Sequence, residues 1–214
     1  MKVIKRRMFL KGCCALGAGS VLWPQWLCAG ARPLIKKAIP VSGEQLPVIG
    51  MGSSRTFDVG DKAAARAQLA PVLQAFFDQG GALIDSSPMY GNAEQVLGDL
   101  LKTTRNKDKL FAATKVWTDG KQAGIRQMQD SMDKMGVTKM DLIQVHNLVD
   151  WETHLATLES WKESGRIRYT GITHYQASAF DSLARVMKAR KPDFVQLNYS
   201  VFDRAAEEKM LPLA

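Results

Sequence analysis

The chain reads as an α/β protein built on a parallel sheet, and three observations predict this. Short apolar runs recur along it: Ala82-Leu83-Ile84-Asp85, Phe111-Ala112-Ala113-Thr114-Lys115, Leu142-Ile143-Gln144-Val145-His146, Gly171-Ile172-Thr173-His174 and Phe194-Val195-Gln196. Segments with apolar residues at helical spacing alternate with these runs. After a longer first interval, the strand-to-strand spacing is about 26 to 30 residues, the length of one strand and helix unit. Buried parallel strands read as such runs, and their carboxyl ends emerge on one face, where loops vary over a rigid sheet. Each run here ends on a polar, chemically capable residue, and Tyr90 follows the first. Asp, Tyr, Lys and His therefore gather on one face, which is the layout of an enzyme site.

The elements follow in order. Pro40 to Pro47 reads as a short hairpin turning at Ser42-Gly43, and Val48-Ile49-Gly50-Met51-Gly52 as a first strand whose glycines mark a close backbone approach. A helix over Ala64 to Gln79 presents Leu69, Val72, Leu73 and Phe76 on one face and stops at Gly80-Gly81. Strand two is Ala82 to Asp85. Asn92-Ala93-Glu94-Gln95 has the form of a capping box opening a helix that buries Val96, Leu97, Leu100 and Leu101. Strand three ends at Lys115, a helix over Gly124 to Met135 leads to strand four at Met140 to Val145, and Thr153 to Ser164 leads to strand five at Ile167 to Ile172. A helix at Ala177 to Ala189, strand six at Phe194 to Leu197 and a last helix from Ala205 complete the pattern. An open doubly wound sheet and a closed barrel both satisfy it. Gly50-Met51-Gly52 lacks the third glycine of a dinucleotide fingerprint and precedes a loop, which weakens the first option.

Composition locates the remaining signals. At 214 residues, 46% hydrophobic and 23% charged, the chain has the make-up of an ordinary globular protein and not of a disordered or collagenous one. Its net charge of +8 is concentrated at the start: residues 1–31 hold Lys2, Lys5, Arg6, Arg7 and Lys11 and no acid. The 29 basic residues less these five leave 24 against 21 acidic, and no basic run is interleaved with stacking aromatics, which argues against a nucleic-acid partner. All three cysteines, Cys13, Cys14 and Cys28, fall in the same stretch, so the remainder needs no disulfide and offers neither a thiolate nucleophile nor a cysteine-ligated metal. A basic start, a moderately apolar Gly12 to Leu27 and small residues at Ala29-Gly30-Ala31 form the pattern of a cleaved export signal. Lys5-Arg6-Arg7-Met8-Phe9-Leu10-Lys11 resembles the twin-arginine motif, read by the translocase for folded proteins. Residues 1–31 are then a signal peptide and 32–214 a periplasmic domain without a stable membrane span after processing. The alternative is an uncleaved N-terminal anchor.

The motifs Ile49-Gly50-Met51-Gly52-Ser53, Asp85-Ser86-Ser87-Pro88-Met89-Tyr90-Gly91, Thr114-Lys115-Val116-Trp117, Asp141 to His146 and Val195-Gln196-Leu197-Asn198-Tyr199-Ser200 resemble, in order and spacing, those of the aldo-keto reductases. The likeness runs from about Ala38 onward. It implies a (β/α)8 TIM barrel, here truncated after about six βα units, with an N-terminal β-hairpin closing its base. It also implies NADPH-dependent reduction of a small aldehyde or ketone. By the resemblance Tyr90 is the proton donor, Lys115 and Asp85 form the pair beside it, and His146 orients the carbonyl. Cofactor contacts fall to Gly52, Ser53, Asp85, Thr173, His174 and Gln196, although Thr173-His174 stands where many members carry Ser-Asn. Trp117 and Met89 are assigned to the substrate pocket, and Trp151 either to that pocket or to packing.

The chemistry requires these residue types. Reduction of a carbonyl builds negative charge on oxygen, so a proton donor and a fixed positive charge must lie where that oxygen sits. Phenols titrate near about 10, and an adjacent ammonium strengthens such an acid. Length is the point of departure: without a signal peptide about 183 residues remain, against about 250 for eight units, and barrels of this type bind phosphate with the loops after strands seven and eight. A nucleotide-binding sensor without turnover, or an inactive remnant, is the alternative.

Overall fold

The structure is a computed structural model and describes residues 34–214, so the export signal and anchor readings lie outside the described residues. Among the described residues eight strands and six α-helices follow in order: β1 Lys36–Ala38, β2 Gln45–Pro47, β3 Met51–Gly52, α1 Ala63–Asp78, β4 Leu83–Asp85, α2 Ala93–Leu101, β5 Phe111–Val116, α3 Lys121–Met135, β6 Met140–His146, α4 Trp151–Glu163, β7 Ile167–His174, α5 Phe180–Arg190, β8 Phe194–Leu197 and α6 Ala206–Leu213. β1 and β2 pair antiparallel. β3 to β8 form one parallel sheet in sequential order, the arrangement of a (β/α) barrel wall with helices on its outer side.

The register sets which side chains share a layer. Lys115 lies opposite Gln144, Gln144 opposite Gly171, His146 opposite Thr173, and Thr173 opposite Gln196. Because side chains alternate between faces, Phe111, Ala113 and Lys115 point to the inner face while Ala112, Thr114 and Val116 meet the helices. The inner face is therefore graded. Its lower part is an apolar plug of Ile39, Ala82, Phe111, Ala113, Leu142 and Tyr169, with the Phe111 and Tyr169 rings stacked at 5.7 Å. Its upper part is polar.

The predicted hairpin closes this base. Gly43 takes φ +74 at its tip, and Ile39 N–H donates to the Glu44 carbonyl at 2.8 Å. Glu44 then accepts the Tyr169 hydroxyl at 2.7 Å and pairs with Arg168, whose other arm holds Asp141 at 2.7 Å.

Three predicted details are corrected. The strand expected over Val48–Gly52 shortens to Met51–Gly52, since Val48 and Ile49 are exposed and lack two covered faces. On α1 the buried residues are Leu69, Leu73 and Phe77, while Val72 is exposed and Phe76 only half-buried. The face that meets the sheet is thus rotated by one residue beyond Leu73. No capping box forms at α2: the Asn92 side chain makes no cap bond, and its backbone N–H instead donates to the Asp58 carboxylate at 2.8 Å.

Gln95 does not reach back either, its amide donating to Asp99 at 3.2 Å, and Glu94 beside it turns inward. It is buried between α2, α3 and the outer face of β5, where it accepts the Thr114 and Ser131 hydroxyls at 2.5 and 3.0 Å, and burial raises its pKa. The two helices meet closely beside it. A Cβ on Gly98 would stand 1.9 Å from the Lys134 carbonyl oxygen, so only glycine allows this approach. Gly98→Ala should therefore lower unfolding free energy by about 1 to 3 kcal/mol, the usual cost of overpacking, despite alanine's better helix propensity. Urea denaturation monitored by circular dichroism checks this, and an unchanged midpoint would contradict the close contact.

Candidate active site

A buried ammonium organises the mouth of the sheet. The Lys115 side chain, 1% exposed, leaves the end of β5 and donates to Asp85 Oδ2 at 2.6 Å and to the Ser86 carbonyl at 2.7 Å. Burying a charge costs several kcal/mol unless it is paired and hydrogen-bonded, and the carboxylate and carbonyl meet that requirement. Asp85 is itself held from several strands. Gln144 on β6 donates to its Oδ1 at 3.1 Å, Gln196 on β8 to its Oδ2 at 3.2 Å, and both Ser53 N–H and Ser53 Oγ to its carbonyl at 3.0 Å.

Tyr90 enters from the turn after β4. Its N–H donates to the Ser87 carbonyl at 3.0 Å, and Gly91 behind it takes φ +57, where a Cβ would stand 2.3 Å from the Asp58 carboxylate. The backbone can thus turn sharply and leave the phenol ring over Lys115, with Nζ 5.0 Å from the ring centroid. His146, at the end of β6, packs edge-on to Tyr90 at 6.4 Å between centroids and lies the same distance from Trp117.

The predicted set of Asp85, Tyr90, Lys115 and His146 is therefore gathered at one point. Ser87 belongs with it and was not predicted. It is buried, receives Met89 N–H at 3.3 Å, and its hydroxyl lies 3.2 Å from His146 Nδ1. With its oxygen occupied as acceptor, the hydroxyl can donate to Nδ1, which leaves the proton on Nε2 as a donor. Gln144 was missed as well. Both lie inside the family-like motifs, Ser87 two places after Asp85 and Gln144 two before His146, and that placement was the available signal.

The remaining predicted residues divide. Met89 and Trp117 are exposed, and the Trp117 ring lies beside His146. Gln196 and Asp85 line an inner-face cavity of about 420 Å³ with Gln144. Gly52 faces open space, but the Ser53 hydroxyl is spent on Asp85 and Ser86 and points into the protein. Thr173 is buried on the inner face beside Gln196. His174 departs from its assignment and Trp151 takes the packing alternative: alternation turns His174 to the outer side, Trp151 packs against the outer core, and both line a separate cavity with Asn147 and Leu148.

Burial, reinforced by the nearby Lys115 ammonium, pulls the His146 pKa down from 6.5 to about 4, so the ring is neutral at physiological pH. A depressed histidine pKa adds stability above the unfolded value, and that contribution is lost as pH falls from about 6.5 through about 4. An NMR titration should place the His146 midpoint near 4. The slope of unfolding free energy in this window should flatten in His146→Gln. A midpoint at the unperturbed value would contradict the buried arrangement.

A model for the Aldo/keto reductase family matches residues 48–214. The methylglyoxal reductase YeaE of Escherichia coli (strain K12) is 29% identical over 184 residues, which cover 83% of this chain and 63% of that protein. The aldo-keto reductase YhdN of Bacillus subtilis (strain 168) is 27% identical over 157 residues, covering 66% of this chain and 46% of that protein. The chain thus spans between about half and two thirds of the length of these relatives. Among solved structures, an aldo-keto reductase from Klebsiella pneumoniae in complex with NADPH superimposes with a TM-score of 0.69 at 25% identity, covering 84% of this chain and 64% of that one. With the family model spanning well over half of its residues and the same barrel wall in its relatives, the chain belongs to the aldo/keto reductase family.

Proposed function

We propose that the site reduces a small aldehyde or ketone with NADPH, using Tyr90 as the proton donor. The single observation that carries this reading is the Lys115 ammonium held between Asp85 and the Tyr90 ring, with a neutral imidazole opposite. NADPH is favoured by the Klebsiella pneumoniae relative, which is solved with it. The residues also suit it. Gln196 gives its amide N–H to Asp85, and its carbonyl oxygen has no partner among the described residues. Together with Gln144 and Thr173 it forms a carboxamide and hydroxyl set on the inner face, matched to a nicotinamide carboxamide.

The bound cofactor would supply a hydride to the carbonyl carbon, leaving an alcohol and oxidised NADP. The chain supplies the rest. The carbonyl oxygen sits between the Tyr90 hydroxyl and His146 Nε2, and Ser87 on Nδ1 keeps Nε2 protonated as a hydrogen-bond donor. Tyr90 releases its proton to that oxygen as negative charge develops, and the Lys115 ammonium stabilises the phenolate left behind. Asp85 keeps Lys115 charged and aimed. Trp117, whose ring lies 6.4 Å from His146, and Met89 beside Tyr90 in the chain are the apolar side chains left exposed there for a substrate to meet. YeaE is named as a methylglyoxal reductase, which makes small dicarbonyls the first substrates to assay.

Tyr90→Phe should lower turnover by about 10² to 10⁴ and leave NADPH affinity nearly unchanged, the signature of a lost general acid. Stopped-flow absorbance at the nicotinamide band with fluorescence titration of the cofactor separates the two quantities, and equal turnover in the variant would remove Tyr90 from its role.

We further propose that residues 1–31 direct export of the folded domain to the periplasm through the twin-arginine translocase, which would let a cofactor be bound before transport. The support is Arg6-Arg7 followed by Phe9-Leu10-Lys11. A reporter fused after Ala31 should reach the periplasm, and Arg6→Lys with Arg7→Lys should retain it in the cytoplasm. Unaltered export by the double variant would exclude this route.

A further inference from the structure

We infer that Gln127 on α3 and His154 on α4 are positioning residues: they hold the loop that carries Trp117, and through it they set how well the mouth accepts a carbonyl large enough to reach the indole. The second half rests on the carbonyl-reductase reading above, and the first half does not.

Trp117 needs a hold of this kind. The last ladder pair of β5 is Val116 with Val145, so Trp117 is the first residue past the sheet, where pairing no longer fixes the chain. Its side chain is exposed and joins none of the apolar clusters among the described residues, unlike Trp151, which packs against the outer core. Packing therefore does not place the indole. Gln127 does so through the backbone: Trp117 N–H donates to Gln127 Oε1 at 2.6 Å, and Gln127 Nε2 donates to the Trp117 carbonyl at 3.1 Å. One amide side chain thus satisfies both main-chain groups of one residue, which fixes the direction of its Cα–Cβ bond. The ring comes to rest 6.4 Å from His146.

The rest of the loop is fastened in the same manner. His154 is fully buried, and its Nε2 lies 2.6 Å from the Thr118 carbonyl, to which a ring nitrogen can only donate. The imidazole is lodged between α3 and α4 by close fit, because a Cβ on Gly124 would stand 2.4 Å from its Cε1. Gly120 N–H donates to Asp150 Oδ2 at 2.8 Å. Asp150 ends the turn that leaves His146, in which Asn147, Leu148 and Asp150 take φ of 54, 58 and 44. The loop after β5 and the turn after β6 are therefore tied to each other. The gap between indole and imidazole is set by side chains with no part in the proton chemistry.

Fluorine NMR of the full chain labelled with 5-fluorotryptophan reads the first half without any activity, the Trp117 signal being identified by its absence in Trp117→Phe. Gln127→Glu keeps the size, the helix propensity and the acceptor for Trp117 N–H, but it cannot donate to the carbonyl. It should shift and broaden the Trp117 signal and leave those of Trp151 and Trp161 in place. His154→Leu should do the same, and His154→Gln, whose amide nitrogen can reach the position of Nε2, should restore the signal. Steady-state kinetics with NADPH read the second half. For benzaldehyde, Gln127→Glu should raise KM by about threefold to tenfold, the worth of one aromatic contact, with kcat unchanged, and for methylglyoxal neither constant should move. Trp117→Ala should raise the benzaldehyde KM likewise, and Gln127→Glu placed on top of it should add nothing.

A Trp117 signal indifferent to Gln127→Glu would overturn the positioning role. Trp151 and Trp161 signals that move together with it would do the same, by assigning Gln127 to general stability. A KM rise shared by methylglyoxal, or one that Gln127→Glu still adds in the absence of the indole, would overturn the substrate half. Wild-type protein that turns over neither carbonyl would remove the reductase reading and the substrate half with it, whereas a Trp117 signal that answers to Gln127→Glu would still uphold the positioning half.

Discussion

A charged ammonium placed where water is excluded is the constraint on which the upper half of the molecule depends. Lys115 is buried, and its charge is tolerable only because Asp85 and the Ser86 carbonyl are both within 2.7 Å. That pair draws in the rest of the sheet. The Asp85 carboxylate accepts from Lys115, Gln144 and Gln196 and its backbone carbonyl from Ser53, so β4, β5, β6, β8 and the segment after β3 all converge on one residue. Breaking such a pair by deleting one partner leaves an uncompensated buried charge, typically a loss of about 3 to 5 kcal/mol. Catalytic geometry and local stability are therefore the same set of contacts.

The lower half supplies the rigidity those contacts need. Below the polar layer the inner face is filled by Phe111, Tyr169, Leu142 and Ile39, and Ile39 arrives on the hairpin that Glu44 and Arg168 fasten to the wall. The polarity gradient along the strands has a simple cause. Side chains at the base are covered by the hairpin and can be apolar, while those at the carboxyl ends face the cavity and must interact with whatever enters it. On the outer side, Glu94 and Gly98 lock α2 to α3 and to β5, one residue away from Lys115. The turn bearing Tyr90 leads directly into α2, so the phenol and the ammonium are positioned by elements that are themselves fastened together.

The imidazole illustrates how environment assigns a role. His146 is half-buried and stands close to a positive charge, and both conditions disfavour its protonation. A neutral ring with Ser87 at Nδ1 is a hydrogen-bond donor and not a second cation, which leaves proton delivery to Tyr90. His174 differs because the strand's alternation sends it outward, to the cavity shared with Trp151 and Asn147. Two histidines ending adjacent strands thus serve different spaces.

Much of this was legible from residue order. Strand and helix alternation, the hairpin at Ser42-Gly43, and Asp85, Lys115 and His146 at strand ends with Tyr90 in the turn after the first of them follow from local patterns, because apolar periodicity reports which backbone segments are covered and by what period. Residue order could not resolve matters that depend on the neighbour across a layer. Phe77 instead of Val72 faces the sheet because the helix is rotated by its packing partners, and Asn92 serves Asp58 because that carboxylate happens to lie within reach. Ser87 acquires its importance only when β6 brings His146 to it, 59 positions away along the chain. Local sequence determined which elements form and which chemistry each strand end carries. Tertiary structure alone decided which of those ends share a space, since contacts between distant residues are set by strand register and layer packing rather than by either segment by itself.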